Sequence, residues 1–422
     1  MNYKKKILKN SLRIVAVPIK NAPSVTVMSL IEAGSKYEDK KNNGISHFLE
    51  HMCFKGTEKR PNAVDISGEF DSLGAQSNAF TSQEVTGYFG KAHNKHTDKI
   101  LDIISDMYLH PTFPANDLEI EKGVIVEEIN MYEDLPQSLV HEVFDGLLYG
   151  DQPAGWSVAG TKENVRGFRR DDFINYRKNH YVSSATTIVI AGDIDDGDVF
   201  KKVEKAFEGM PAGKKASKKK VLEKQNKPAI KLKFKETDQT HLIIGLRAFN
   251  LYDKKTPALK LLSAVLGSGM SSRLFQKMRT DLGICYYVRS SVNDLTDHGT
   301  LAISAGVDST RVKEGIKGIL GEMVKIRDEK IPDSELRKAK DYIIGNMYLG
   351  LESSDSLAGF YGFQEILKEK IKTPKEVETE IEKISTGDLS KVAKEIITNS
   401  KLNMAIVGKY KDENQFKNIL KV

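Results

Sequence analysis

Apolar positions along the chain fall into two periodicities. Segments 24–31, 186–193, 240–246 and 402–408 are short runs dense in apolar and β-branched residues, and they read as buried strands. An earlier run, 13–17, stops at Pro18 and reads as a first strand. Ile100, Leu101, Ile103, Ile104, Met107 and Tyr108 instead recur with a period near 3.6, which predicts a helix over 97–109 closed by Pro111 and Pro114. Asn116 or Asp117 is placed to cap a further helix running through Ile129. Two more helices are expected over 333–349 and 390–397. Helices mixed with strands, without a regular strand–helix–strand period, favour an α+β fold over a doubly wound sheet.

Segment 211–228 interrupts both patterns. It is lysine-rich and aperiodic, has proline at each end, and reads as an exposed linker. The strand runs repeat across it. Thr186 follows Ser24 by 162 positions, and Leu402 follows Thr240 by the same 162. The expectation is two similar domains, 1–210 and 229–422, each a mostly antiparallel sheet with helices packed on it.

Composition narrows the function classes. At 422 residues the chain exceeds one ordinary core. Its net charge of +6 equals that of 214–227, where seven lysines face one acid, so the remainder is balanced. That basic stretch has no interleaved aromatics, which argues against nucleic-acid binding. Two cysteines, Cys53 and Cys285, exclude a disulfide scaffold and fit a reducing compartment. The lysines near the start are not followed by a signal-like apolar core, and no apolar run approaches 18 residues. A cytoplasmic protein without membrane or nucleic-acid partners is expected.

The sharpest chemical signal is His47-Phe48-Leu49-Glu50-His51. On a helix begun by a cap-like Asn43 or Ser46, His47 and His51 share a face, and Glu50 lies near it. Two imidazoles can hold zinc while the carboxylate handles a water proton, the inverse of the HExxH arrangement. From the composition, roughly 0.03 such matches are expected by chance. A surface helix with incidental histidines is the alternative, but Phe48, Leu49, Met52 and Phe54 would bury it. Zinc needs a third ligand, and the helix after Pro114 offers Glu119, Glu121, Glu127 and Glu128. Glu121 and Glu128 lie two turns apart on one face. Glu128 is favoured as ligand, with Glu121 behind it to orient a ligating histidine. Cys53 points off the histidine face and reads as a core residue.

With these residues the sequence resembles the pitrilysin/insulinase family of zinc peptidases, nearest its processing-peptidase branch. The family motif is HxxEH followed by Glu after 76 residues, and 76 residues separate His51 from Glu128 here. The segment 77–82, followed by Glu84 and Tyr88, resembles the family's substrate strand, and 267–270 its glycine-containing loop. Segments 274–279 and 283–286 resemble its Arg/Tyr motif, except that Leu282 stands where a basic residue is common. The resemblance implies one zinc per chain on His47, His51 and Glu128, with Glu50 as general base. It implies peptide binding along Asn78 and Ala79, and contacts to substrate from Arg279 and Tyr286. It also implies a homodimer, or a heterodimer with a related chain, in which one subunit's second domain completes the other's site. A non-catalytic peptide-binding or scaffold subunit of the same fold is the alternative, against which the complete zinc set argues.

Overall fold

The computed structural model describes residues 2–368 and 370–422. Strands β1 (Lys4–Ile7), β2 (Arg13–Pro18), β3 (Ser24–Ile31), β4 (Gln76–Thr81), β5 (Thr86–His93) and β6 (Thr186–Gly192) form one sheet in the order β1-β2-β6-β3-β5-β4. Strands β7 (Ala229–Phe234), β8 (Gln239–Ala248), β9 (Cys285–Asp294), β10 (Gly299–Asp308) and β11 (Leu402–Gly408) form the other, in the order β7-β11-β8-β10-β9. One pair in each sheet is parallel, β2–β6 and β7–β11, and the rest are antiparallel. The second sheet repeats the first without β1, so the fold is α+β with two similar domains.

The apolar runs are continuous because each sheet is covered on both faces. In β3, Val25, Val27 and Ile31 join a core under α1 (Ile45–Met52) and α3 (Thr97–Leu109). Their neighbours Met28 and Leu30 are buried on the opposite face. That face is covered by the helix Ser354–Leu367, which comes from the second half of the chain and packs on β2, β3 and β6. Gly362 makes the approach possible, since a Cβ there would lie 2.7 Å from Leu30 Cδ1 and 2.9 Å from Val189 Cγ2. Ser354 Oγ hydrogen-bonds Thr26 Oγ1 at 2.9 Å, and Lys91 pairs with Asp355 at 2.6 Å.

The second sheet is covered reciprocally. Beyond α2 (Ala63–Ser72) and α4 (Ala115–Asp134) lies α5 (Pro136–Tyr149), which packs on β7, β8 and β11. Val140 and Phe144 of α5 meet Ile243, Ala405 and Val407. The two compact units are therefore discontinuous in sequence. One takes the chain up to Ile129, Ser157–Lys219 and Tyr348–Pro374, and the other Asn130–Trp156, Lys220–Met347 and Lys375–Val422. This departs from the contiguous ranges 1–210 and 229–422, because each half lends the other a helix.

Segment 211–228 contains no helix or strand among the described residues, yet it is pinned along its length. In the first unit, Lys215 pairs with Glu32 at 2.9 Å and Lys218 with the buried Glu84 at 2.5 Å. In the second, Val221 is buried beside α5 and Glu223 pairs with Arg247 at 2.9 Å. Its charges are matched by carboxylates and a guanidinium that the linear pattern does not associate with it. Among the described residues no helix is long and apolar enough to cross a membrane. Cys53 is a buried core residue and Cys285 is half-buried, and both are free thiols.

Candidate metal centre

Helix α1 begins in an unusual way. Its first turn follows Gly44, whose φ of 100° lies in the left-handed region, and no side chain of Asn43 or Ser46 caps it. The cap comes from Glu38. Its carboxylate accepts from the backbone N–H of Gly44 and of Ser46, each at 2.8 Å, and from Asn43 Nδ2 at 3.0 Å. A carboxylate at this end also complements the helix dipole. Burial raises the Glu38 pKa, while these hydrogen bonds oppose the rise. Ile45, Phe48, Leu49 and Met52 then bury one side of α1, with Phe48 edge-on to Phe173 at 4.9 Å between ring centroids.

The remaining side of α1 meets α4. His47 Nε2 and His51 Nε2 each lie 3.6 Å from Glu128 Oε2. One donor atom from each of the three residues lies within 4.8 Å of the others. Tetrahedral zinc, with bonds of about 2.0–2.2 Å, sets its ligand atoms about 3.4 Å apart. Two imidazole nitrogens and one carboxylate oxygen at these spacings fit that ion and leave a fourth position open. Glu121, one face-repeat before Glu128, accepts from His51 Nδ1 at 2.8 Å, which turns Nε2 of that ring towards Glu128 and, in the neutral ring, leaves it free of a proton. Glu119 pairs with Lys122 instead, and Glu127 is exposed.

Glu50 is buried beside this group, and Thr81 Oγ1 donates to its Oε2 at 2.5 Å. Burial raises the Glu50 pKa; the Thr81 hydrogen bond and the His51 charge oppose that, and the Glu128 charge adds to it. Burial, reinforced by the His51 charge, pushes His47 down to about 4. For His51, burial acts downwards but is outweighed by the Glu121 hydrogen bond and the charges of Glu50, Glu121 and Glu128, so its pKa is raised.

Thr81 ends β4, an edge strand that pairs only with β5 and carries no charged side chain. Asn78 is exposed and Ala79 half-buried, and Asn78 Oδ1 accepts from the Ala79 N–H at 2.9 Å. The opposite edge, β1, is lined by Lys4, Lys5 and Lys6, which discourage pairing.

Arg279 and Tyr286 belong to the second unit. Gln276–Asp281 is a π-helical turn, and Gly283, at a φ of 59°, ends it before β9 begins. The pair therefore shares no helix face. It is joined directly: Arg279 Nη1 donates to the Tyr286 carbonyl at 2.7 Å, and its guanidinium lies 5.2 Å from the Tyr286 ring centre. Tyr286 is 72% exposed.

Glu38, Lys55 and Thr81 are the residues around this centre to which the sequence reading gave no such part. Lys55 follows His51 by four positions, a helical spacing that could have revealed it. Nothing in the linear pattern points to Glu38.

Comparison with known proteins decides the family. Residues 13–162 match the model of the insulinase family, peptidase family M16, and 167–343 match the M16 inactive domain. The zinc protease YmxG of Bacillus subtilis, uncharacterized, is 36% identical over 92% of this chain and 94% of its own. The chain belongs to peptidase family M16. An uncharacterized zinc protease of Rickettsia bellii is 31% identical over 96% of this chain and 98% of its own. Among solved structures, a protease from Helicobacter pylori shares the fold with a TM-score of 0.90 at 23% identity, covering 96% of this chain and 99% of that one. An M16 inactive domain from Pseudomonas fluorescens also gives 0.90, at 17% identity, covering 97% and 99%. In this M16 chain the metal-facing cluster lies within the first matched span, and Arg279 and Tyr286 within the second.

Proposed function

We propose that this M16 protein is a zinc endopeptidase that hydrolyses extended peptides and unfolded segments, with one zinc per chain on His47, His51 and Glu128. The observation that carries the reading is the convergence of those three donor atoms beside a buried carboxylate, Glu50, on the same helix. Bound zinc supplies a Lewis acid and a water of lowered pKa. Glu50 takes the proton from the attacking water and returns it to the leaving amine. Its raised pKa suits both directions of transfer. Glu121 fixes the ring of His51, and Thr81 fixes the carboxylate of Glu50.

The substrate lies as an added strand along β4 and pairs through Asn78 and Ala79. A strand-addition edge admits extended chain and excludes folded protein. Arg279 and Tyr286 of a second copy, or of a related chain, complete the site in a dimer. The free thiols fit a cytoplasmic setting.

Metal analysis and a mixed peptide library test the reading together. Stoichiometric zinc, and cleavage that a chelator abolishes and zinc restores, support it. Absence of a divalent metal with unchanged cleavage would contradict it. Mixing Glu50→Gln and Arg279→Ala chains, each inactive alone, tests the shared site: recovered activity supports completion in trans, and none argues against it.

A further inference from the structure

Glu121 is almost fully buried and has two oxygens to satisfy. Oε1 takes the His51 Nδ1 hydrogen at 2.8 Å. Oε2 lies 2.5 Å from Lys55 Nζ in an ion pair that is not an aligned hydrogen bond, so Lys55 contributes mainly charge there. The chain turns on past α1 through backbone bonds from Phe54 to His51 and from Lys55 to Met52. His51 and Lys55, four positions apart, thereby reach the same carboxylate from one piece of chain.

With metal on Nε2, the His51 ring is itself neutral, and the ion's charge lies a ring's width away from the Glu121 carboxylate. A buried carboxylate with no charge in direct contact costs several kcal/mol and tends to turn towards water. The Lys55 side chain, 26% exposed, marks the route by which it would do so. Lys55 closes that route and holds the charge in place. A lysine beside a dication would by itself oppose binding, but Glu121 stands between the two.

We infer that Lys55 is the outer member of a three-residue relay, Lys55–Glu121–His51, which positions His51 and raises the affinity of this centre for a divalent transition metal. The inference rests on the zinc reading of the site and extends it to a residue outside the ligand set. It assigns Lys55 a positioning role, distinct from any contact with metal or peptide.

The test is a zinc competition titration of the full-length protein against a fluorescent chelator at fixed pH. Wild type, Lys55→Met, Lys55→Gln, Glu121→Gln and the Lys55→Met/Glu121→Gln double variant are compared, with thermal unfolding of each metal-free protein. Lys55→Met should bind zinc about tenfold more weakly, in the range found for groups behind metal ligands. Adding it to Glu121→Gln should change affinity by less than about twofold, because the relay is already broken. Lys55→Gln serves as the second neutral variant if Lys55→Met does not fold. Affinity within about twofold of wild type in either neutral variant would overturn the inference while leaving the zinc reading intact. So would losses that multiply in the double variant together with a lower melting temperature of the metal-free protein, since both point to a general structural role. A wild-type protein that binds no zinc would overturn both.

Discussion

Glu50 and Glu121 lie on either side of His51, and their surroundings drive them in opposite directions. Burial acts upwards on both. In Glu121 the His51 hydrogen bond and the charges of His51 and Lys55 outweigh it, whereas in Glu50 burial prevails. Carboxylates held apart in this way take different parts in acid–base chemistry. A base must be ionised, so activity should fall as pH drops through the Glu50 pKa. Thr81→Val removes a hydrogen bond that lowers this pKa, and the acidic limb of kcat/KM should move to higher pH, with a rate loss of about tenfold at neutral pH. Thr81→Ser should restore both, and pH–rate profiles of the three proteins check this. His180, stacked on Tyr176, is lowered by burial to about 4 and lies outside this centre. Its folded pKa is below the unfolded value near 6.5, so the unfolded state takes the proton first and stability falls as pH drops from 6.5 towards 4. His180→Phe should lessen that loss by on the order of 2 kcal/mol, measured by urea unfolding at pH 7 and 4.5. At this scale, helical spacing grouped His47, Glu50 and His51 on one helix and Glu121 and Glu128 on another, and it took zinc's need for a third ligand and the 76-residue interval of the resemblance to join the two sets. Thr81 was not legible, because its contact depends on where β4 comes to rest, and Lys55 was marked only by its four-residue spacing from His51.

Helix α1 is only eight residues long and carries two of the three metal-facing donors, so its first turn matters to the whole centre. Short helices are marginal alone and depend on caps and packing. Glu38 supplies the cap from six positions before Gly44, in a segment with no recognisable signal. The expected caps, Asn43 and Ser46, donate to the Glu38 carboxylate instead. Glu38→Ala should therefore destabilise the protein by about 3 kcal/mol, since two buried N–H groups lose their acceptor. It should also weaken zinc binding, which denaturant unfolding and chelator competition would read separately. Gly44→Ala should be at least as harmful, because a Cβ there would lie 2.7 Å from the Ala159 carbonyl oxygen at a left-handed φ. Among longer elements the pattern was clearer. The helix expected over 97–109 is α3, and the runs 24–31 and 402–408 are β3 and β11. α4 begins at Ala115, ahead of the caps expected at Asn116 or Asp117. The π-helical turn before Gly283 had only that glycine to announce it.

Across the molecule, the repeated strand spacing reflects a repeated sheet topology, and this was visible because both faces of β3, β6, β8 and β11 are buried. The source of the second covering layer was not visible. An apolar helix reads the same whether it packs on its own half or the other, and α5 and Ser354–Leu367 each pack on the other. A fragment of residues 1–210 alone should thus expose Met28, Leu30 and Val189 and be aggregated or molten. Co-expression with 211–422 should restore a soluble, folded pair, as circular dichroism and gel filtration of the fragments would show. The same burial gives the metal centre a rigid base, since α1, α4 and β4 all rest on the first sheet's core. The central claim is that this base presents zinc and Glu50 to a peptide, and one measurement bears on it most directly: the rate of cleavage of an unstructured peptide by wild type and by Glu50→Gln at matched zinc content. A loss of at least about a hundredfold with zinc retained is the predicted result. Equal rates at equal zinc would contradict the account.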